Sequence, residues 1–167
     1  MLIDSKLKFS NEQDLGAGSA SLDVASTNTV DLTAIVNDLG TTVSANVAAS
    51  GIMLNIVVDG EAFTCSTSAG QLAVKVMTKA SASSIASGTD LGTVIVRALT
   101  AAASGAYNVD GAVIFRGHLP EGNYLRHIGL NYEGTTKMTA GKVTAWLGGA
   151  SDTGHADGSQ NSTSPIA

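Results

Sequence analysis

Residues 119–147 read LPEGNYLRHIGLNYEGTTKMTAGKVTAWL, and this stretch decides the fold class of the 167-residue chain. After a Pro-Glu-Gly turn, apolar and polar side chains alternate from Tyr124 to Tyr132, and the alternation returns from Lys142 to Leu147. Alternation with period two, bounded by glycine and proline, is typical of half-buried antiparallel strands. The stretch therefore predicts two strands that close an all-β domain as a hairpin.

The two parities of this predicted hairpin differ in character. The apolar parity places four residues in a sandwich core: Ile128, Leu130, Val143 and Leu147. His127 falls on the polar parity, which predicts a surface position. Trp146 shares the polar parity of its strand with Lys142 and Thr144, which predicts an exposed ring. Arg126 shares the apolar parity, so it either caps the rim of the sandwich beside a carboxylate or reaches a neighbouring chain.

The rest of the chain repeats the strand pattern between turns. Gly, Ser, Thr and Ala are abundant and aromatic residues make up only 4% of the chain, a mixture that favours short strands over long helices. Gln71–Thr78 alternates cleanly, with Leu72, Val74 and Val76 inward and Lys75 outward, and a polar loop of Ser and Ala follows it. Ile52–Asp59 is apolar on both faces, which predicts a strand covered on both sides. We therefore predict an all-β fold, a jelly-roll β-sandwich of about eight antiparallel strands with extended N- and C-terminal arms.

Composition along the chain suggests three segments. Residues 1–18 form an N-terminal arm, 19–147 the jelly-roll domain, and 148–167 a Gly/Ser/Asp-rich C-terminal tail with the composition of a disordered segment or linker. The N-terminal segment is either an edge strand with a loose end or an arm whose apolar residues dock on a neighbouring chain.

Charge and composition exclude several classes of partner. The formal net charge is −5 and the nine basic residues are scattered, whereas a nucleic-acid surface usually shows a clustered basic stripe. No apolar run approaches the length of a membrane span, and the N-terminus lacks the apolar region of a signal peptide. We expect no nucleic-acid partner, no membrane partner and a cytoplasmic site of synthesis. The single cysteine, Cys65, is predicted to be a small core or strand residue.

The chain shows no constellation that would carry catalysis. Its three histidines, His118, His127 and His155, have no metal-ligand neighbours at helical or zinc-finger spacing. Gly141-Lys142 lacks the other residues of a phosphate loop, and no serine has the setting of a nucleophile. We therefore expect no enzymatic activity, no cofactor and no metal site.

Four segments carry a resemblance to a known family: IDSKLKFSNEQDL near the start, STNTVDL, LPEGNYLRHIGLNYEG, and TAGKVTAWL. Together they resemble the capsid cement (decoration) proteins of tailed bacteriophages, of the Bordetella-phage type. The shared features are a Leu-x-Phe-Ser start, a Leu-Pro-x-Gly turn before Tyr-Leu-Arg, and a late Thr-Ala-Gly-x-Val-Thr-Ala strand. Residues 41–108 resemble that family only in the spacing of their predicted strands.

The resemblance implies a jelly-roll protein on the outer surface of an icosahedral head, made in the host cytoplasm. Such a protein binds the major capsid protein and itself, as a dimer or trimer, and clamps neighbouring capsid subunits. The candidate contact residues are Leu2, Ile3, Leu7, Phe9, Arg126 and Trp146. The alternative is a carbohydrate- or receptor-binding module of a virion, in which Trp146 would serve as a sugar platform instead of an interface anchor.

Overall fold

The computed structural model describes residues 5–16, 22–34, 52–66, 70–99 and 109–148. Extended backbone dominates these ranges, and the helical segments within them are single turns of three residues. All the strand pairs found there are antiparallel. The prediction of an all-β chain with antiparallel sheets is confirmed. The predicted C-terminal tail lies almost wholly outside the described residues.

The strands are numbered in chain order. They are β1 (Lys8–Asp14), β2 (Asp23–Ala25), β3 (Val30–Asp31), β4 (Met53–Val58), β5 (Thr64–Cys65), β6 (Gly70–Lys79), β7 (Thr89–Leu99), β8 (Val113–His118), β9 (His127–Gly134), β10 (Met138–Ala140) and β11 (Lys142–Gly148). Three 3-10 turns accompany them: η1 (Ser5–Leu7), η2 (Leu32–Ala34) and η3 (Ile85–Ser87).

Two main sheets share one hydrophobic core. Sheet A has the order β1-β11-β4-β8, and sheet B has the order β2-β9-β6-β7, with β3 also paired to β9. A small separate ladder joins β10 to β5. The described residues thus hold eleven strands where we expected about eight, because four of them are pieces of only two or three residues.

The alternation seen in the sequence decides which side chains enter the core. In β6, Leu72, Val74 and Val76 are fully buried, as predicted. The predicted core residues of β9 and β11 are buried as well: Ile128, Leu130, Val143 and Leu147. Every residue of β4 except its first is buried, which confirms a strand covered on both faces.

The predicted closing hairpin is wrong, although both of its strands exist. β9 pairs with β2, β3 and β6 in sheet B, whereas β11 pairs with β1 and β4 in sheet A. Between them the chain forms β10, passes Gly141 at a φ of +135°, and enters the opposite sheet. Alternation reveals the buried face of a strand but carries no information on its partner, so neighbours in sequence were wrongly taken as neighbours in the sheet.

His127 is also not the surface residue that its polar parity predicts, since only 7% of it is exposed. The outer face of β9 is covered at this end by η3. Ile85 from η3 packs against Gly129, where an added Cβ would lie 2.7 Å from Ile85 Cγ1. The Ser- and Ala-rich stretch that we interpreted as a polar loop therefore supplies an apolar cover for sheet B.

Hydrogen bonds connect the edges of the two sheets on both sides of the core. Between β1 and residues 25–28, the Phe9 carbonyl accepts from the Asn28 amide at 2.9 Å and the Gln13 amide nitrogen donates to the Ala25 carbonyl at 2.8 Å. Between β7 and β8, the Arg97 guanidinium donates to the Ile114 carbonyl oxygen at 3.0 and 3.1 Å. Side chains therefore bridge both gaps between the sheet edges.

Candidate functional site

The predicted anchors of the N-terminal arm divide into three cases. Leu2 and Ile3 lie outside the described residues. Leu7 is half-buried against the core, and Phe9 is fully buried within it. Because Phe9 lies in β1, an edge strand of sheet A, its ring packs inside its own domain and exposes no surface through which it could anchor a neighbouring chain.

The expected exposure of Trp146 is wrong, since only 2% of the residue is accessible. It lies on the face of sheet A away from the shared core, next to Asn55 across the strand pair. Its indole Nε1–H is buried and has no hydrogen-bond partner among the residues that the structure describes. Parity placed the ring correctly on the outer face, but an outer face is not necessarily an exposed one, so Trp146 cannot serve as an open sugar platform.

Arg126 takes the first of its two alternatives and caps the rim beside a carboxylate. Its Nη2 lies 2.8 Å from Asp31 Oδ2, and its Nε lies 3.1 Å from the same oxygen. The Asp31 carboxylate also accepts from the Thr33 amide and hydroxyl. The Arg126 hydrogen bonds, followed by those of Thr33, hold the pKa of Asp31 well below its ordinary value. Arg126 is thus paired within its own domain.

The Leu-Pro-x-Gly turn before Arg126 is held in place by local hydrogen bonds. The Tyr124 hydroxyl donates to the Pro120 carbonyl, and burial raises the pKa of Tyr124 to about 12. The Leu125 amide donates to the Thr78 hydroxyl at 2.8 Å, while the Leu125 side chain is 44% exposed. The turn is rigidly attached, and Leu125 is its apolar surface residue.

A row of polar side chains crosses the outer face of sheet B, one or two from each strand. This polar row consists of Asp23, Asn131, Glu133, Lys75 and Asp90. Glu133 Oε1 lies 2.9 Å from Lys75 Nζ and accepts from Asn131 Nδ2 at 3.2 Å. Lys75 also lies 3.5 Å from Asp90, and Asn131 donates to Asp23 at 3.0 Å. The hydrogen bond to Glu133 is the main cause of the raised pKa of Lys75.

A hollow of about 160 Å³ opens beside this row, where β6 and β9 run side by side. Its lining residues are Gln71, Ala73, Glu133, Gly134 and Thr135, and we call it the Glu133 hollow. Ala73 is paired across the strands with Glu133 on one side and with Val96 on the other. Because directly paired residues point to the same face of a sheet, Val96 lies beside the hollow, and its side chain is 52% exposed.

Sequence reasoning missed this surface, although it held part of the signal. Spacing predicts that Lys75 points outward from its strand and that Glu133 follows the polar parity of the strand predicted from Tyr124 to Tyr132. Their contact depends on the pairing of β6 with β9, which are separated by two intervening strands in the chain. The individual faces were therefore predictable, and their juxtaposition was not.

Catalytic chemistry finds no support in the part of the chain that the structure describes. No group of three or more His, Cys, Asp or Glu side chains suited to a metal ion occurs there. Within the same ranges, no helix is long and apolar enough to cross a membrane. Two surfaces of the described residues could carry binding: the turn at Leu125 and the outer face of sheet B.

The sequence matches no protein-family model and no curated protein with which it was compared. The function must therefore be argued from the residues and their arrangement.

Proposed function

We propose that this chain is a capsid cement protein of tailed bacteriophages, similar to those of the Bordetella-phage type. In this role it has no catalytic activity, binds the outer surface of the head as a dimer or trimer, and clamps neighbouring major capsid proteins. The observation that carries the proposal is that the two early segments of the resemblance pair with the two late ones, from the other end of the described chain, and form one connected set of strands.

Each of these segments touches another. The first contributes β1, which pairs with β11 from the last segment through Lys8 and Trp146, among others. The STNTVDL segment contributes β3, which pairs with the start of β9 through Val30 and Ile128. The Arg126–Asp31 ion pair joins the same two segments. A chance likeness in scattered motifs has no reason to select residues that share an interface, so this clustering supports a common structure.

The strand order supports a jelly roll in particular. When β2 and β3 are counted as one strand and the β5–β10 ladder is set aside, eight strands remain. Numbered from one to eight along the chain, they give the order 1-8-3-6 in sheet A and 2-7-4-5 in sheet B. The chain changes sheet at every step except from four to five, an arrangement that suits a two-sheet jelly roll.

The physical mechanism of such a protein is multiplied weak binding. A single interface of modest size gives limited affinity, but an oligomer that bridges several capsid subunits binds each additional site at a high effective concentration. Icosahedral symmetry repeats every contact over the head. The absence of a catalytic cluster among the described residues is compatible with this role, which requires only complementary surfaces.

The proposal is tested by deleting the gene from a phage that encodes this chain and heating the resulting heads. We expect the heads to release DNA at a lower temperature than wild-type heads, and added purified protein to restore the resistance with many copies bound per head. Unchanged heat resistance, together with no binding of the purified chain to the heads, would overturn the proposal.

The carbohydrate- or receptor-binding alternative has lost its main support. Trp146, Tyr124 and Tyr132 are all buried, so none of them offers an exposed ring on which a sugar could stack. Under this alternative, the chain would be found on a tail fibre or tail tip and not on the head. Labelling of virions with an antibody against the chain separates the two locations.

A further inference from the structure

The Glu133 hollow has one apolar wall and one acidic wall. Ala73 and Gly134 give it a floor without bulky side chains, and the exposed Val96 lies beside it on β7. Glu133 forms the acidic wall, with Gln71 and Thr135 as further polar lining.

The Glu133 carboxylate is held in place by one oxygen and leaves the other unused. Both of its contacts, with Lys75 and Asn131, go to Oε1. Oε2 has no partner among the residues that the structure describes. A carboxylate that is fixed through one oxygen presents the second at a defined position, which favours a charge-assisted hydrogen bond to an external donor.

The surroundings of the hollow call for a cation. The polar row contains three carboxylates, from Asp23, Asp90 and Glu133, against the single ammonium of Lys75. Glu133 Oε2, the acceptor at the hollow that neither Lys75 nor Asn131 contacts, thus lies within an excess of negative charge, so the complementary ligand is positively charged and donates hydrogen bonds.

We propose that the Glu133 hollow binds the side chain of an arginine from a protein partner. The guanidinium donates to Glu133 Oε2, and its methylene stem lies along Ala73 and Val96. Long basic side chains cover apolar surface with their stems while their charged ends reach polar groups. Arginine is favoured over lysine because its planar fork can donate to several acceptors in one orientation, and Gln71 and Thr135 offer further oxygens.

This inference deepens the proposed function, on which its choice of partner rests. If the chain decorates a head, the arginine belongs to a major capsid protein, and the outer face of sheet B is turned toward the shell. An anchoring side chain in a pocket with a polar rim is the usual organisation of a strong contact within an interface. The recognition of arginine itself is a property of this chain alone and is tested without capsid.

The first test is an NMR titration of the ¹⁵N-labelled full chain with N-acetyl-arginine amide, and in parallel with the citrulline amide. Citrulline has the same shape without the positive charge. We expect saturable shifts at the amides of Ala73, Glu133 and Thr135 with the arginine probe only, weakening as salt screens the charge. Shifts that do not saturate, that lie elsewhere, or that citrulline reproduces would overturn the proposal.

Two variants test the two parts of the hollow, the acidic wall at Glu133 and the floor at Ala73. Glu133→Gln should weaken arginine binding by about threefold to fivefold, the range expected for an exposed ion pair. Ala73→Leu fills the hollow, keeps every charge and should abolish the binding. The matched control is Glu61→Gln, the same chemical change at an exposed position away from the hollow, which should bind as the wild type does. Equal binding by the wild type and both hollow variants would contradict the proposal.

The same variants separate this inference from the cement function. Binding of Ala73→Leu to heads lacking the chain is compared with that of the wild type, after its amide spectrum has shown that it is folded. Loss of head binding assigns the arginine to the capsid. Full head binding by a variant that no longer binds arginine would overturn that assignment and leave the cement function standing.

Discussion

The guanidinium of Arg126 and the carboxylate of Asp31 form an ion pair with a shortest separation of 2.8 Å, between residues 95 positions apart in the chain. The adjoining backbone is joined as well, because the Leu32 amide donates to the Arg126 carbonyl at 2.8 Å. The pair fastens β3 to the segment that leads into β9. Arg126 thereby connects two of the four segments on which the family resemblance depends.

This ion pair predicts a specific pH dependence of stability. Because hydrogen bonds from Arg126 and Thr33 lower the pKa of folded Asp31, its contribution is present above the unfolded carboxyl pKa of about 3.9 and is lost as the pH falls toward the folded value. Asp31→Asn should therefore have a lower urea midpoint than the wild type at neutral pH, and the gap should narrow in acid. A matched Asp59→Asn variant should show no such gap, and an equal gap at both pH values for Asp31→Asn would contradict the prediction.

The sequence was sufficient to predict which face of each strand is buried. It was insufficient to predict which strands pair with each other. Alternation identified Leu72 and Ile128 as core residues, because burial of one face depends on local spacing. It failed for the hairpin, because the pairing of β9 and β11 is decided by residues far away in the chain. It failed for His127, because the cover supplied by Ile85 comes from a connection between other strands.

Trp146 should respond unequally to two substitutions. Trp146→Ala removes a large buried ring and should cost about 3–5 kcal/mol of unfolding free energy. Trp146→Phe should cost less than half as much, since it also removes the unpaired Nε1–H, a buried group whose desolvation costs about 1–3 kcal/mol. Urea unfolding measures both values, and equal costs would contradict the unsatisfied state of the indole. Since Trp146 is the single tryptophan, wild-type emission should shift to the red on unfolding.

A buried hydroxyl pair links the two sheets and predicts a loss of stability in alkali. The Ser10 hydroxyl donates to Gln13 Oε1 at 2.6 Å, so its contact of 2.8 Å with Tyr132 is a bond donated by the tyrosine. Burial raises the pKa of the Tyr132 hydroxyl. The ionisation of Tyr132 therefore leaves the free energy of unfolding unchanged below the unfolded tyrosine pKa of about 10. Above that pH, the free energy of unfolding falls as the pH rises.

Tyr132→Phe separates this ionisation from the hydrogen bond. At neutral pH the variant should lose about 1 kcal/mol, the usual net value of one hydrogen bond. Above pH about 10 its stability should fall less steeply than that of the wild type. Two described tyrosines, Tyr124 and Tyr132, have a raised pKa, and the variant keeps only Tyr124. Parallel alkaline unfolding curves for the two proteins would contradict the assignment to Tyr132.

The close contact between Gly129 and Ile85 predicts a non-additive pair of substitutions. An added Cβ at Gly129 would lie 2.7 Å from Ile85 Cγ1, so Gly129→Ala should cost about 1–3 kcal/mol through overpacking. Ile85→Ala makes room for that methyl group, and the double variant should therefore lose less than the sum of the single losses. If urea unfolding shows that the losses of unfolding free energy are additive, the predicted packing contact between Ile85 and Gly129 is contradicted.

The candidate site shows the same division between local and long-range information. The outward direction of Lys75 and the polar parity of Glu133 were both available from spacing. The hollow beside Glu133 depends on the register of the β6–β9 ladder, which pairs Ala73 with Glu133 and Leu72 with Gly134. Register is determined by the whole core and not by either strand alone.

The most direct test of the central claim is a cryo-electron microscopy reconstruction of virions from a phage that encodes this chain. The cement function predicts two-sheet density on the outside of the head, repeated over the junctions between capsid subunits. Bare heads in virions that carry the chain elsewhere, such as on the tail, would contradict it.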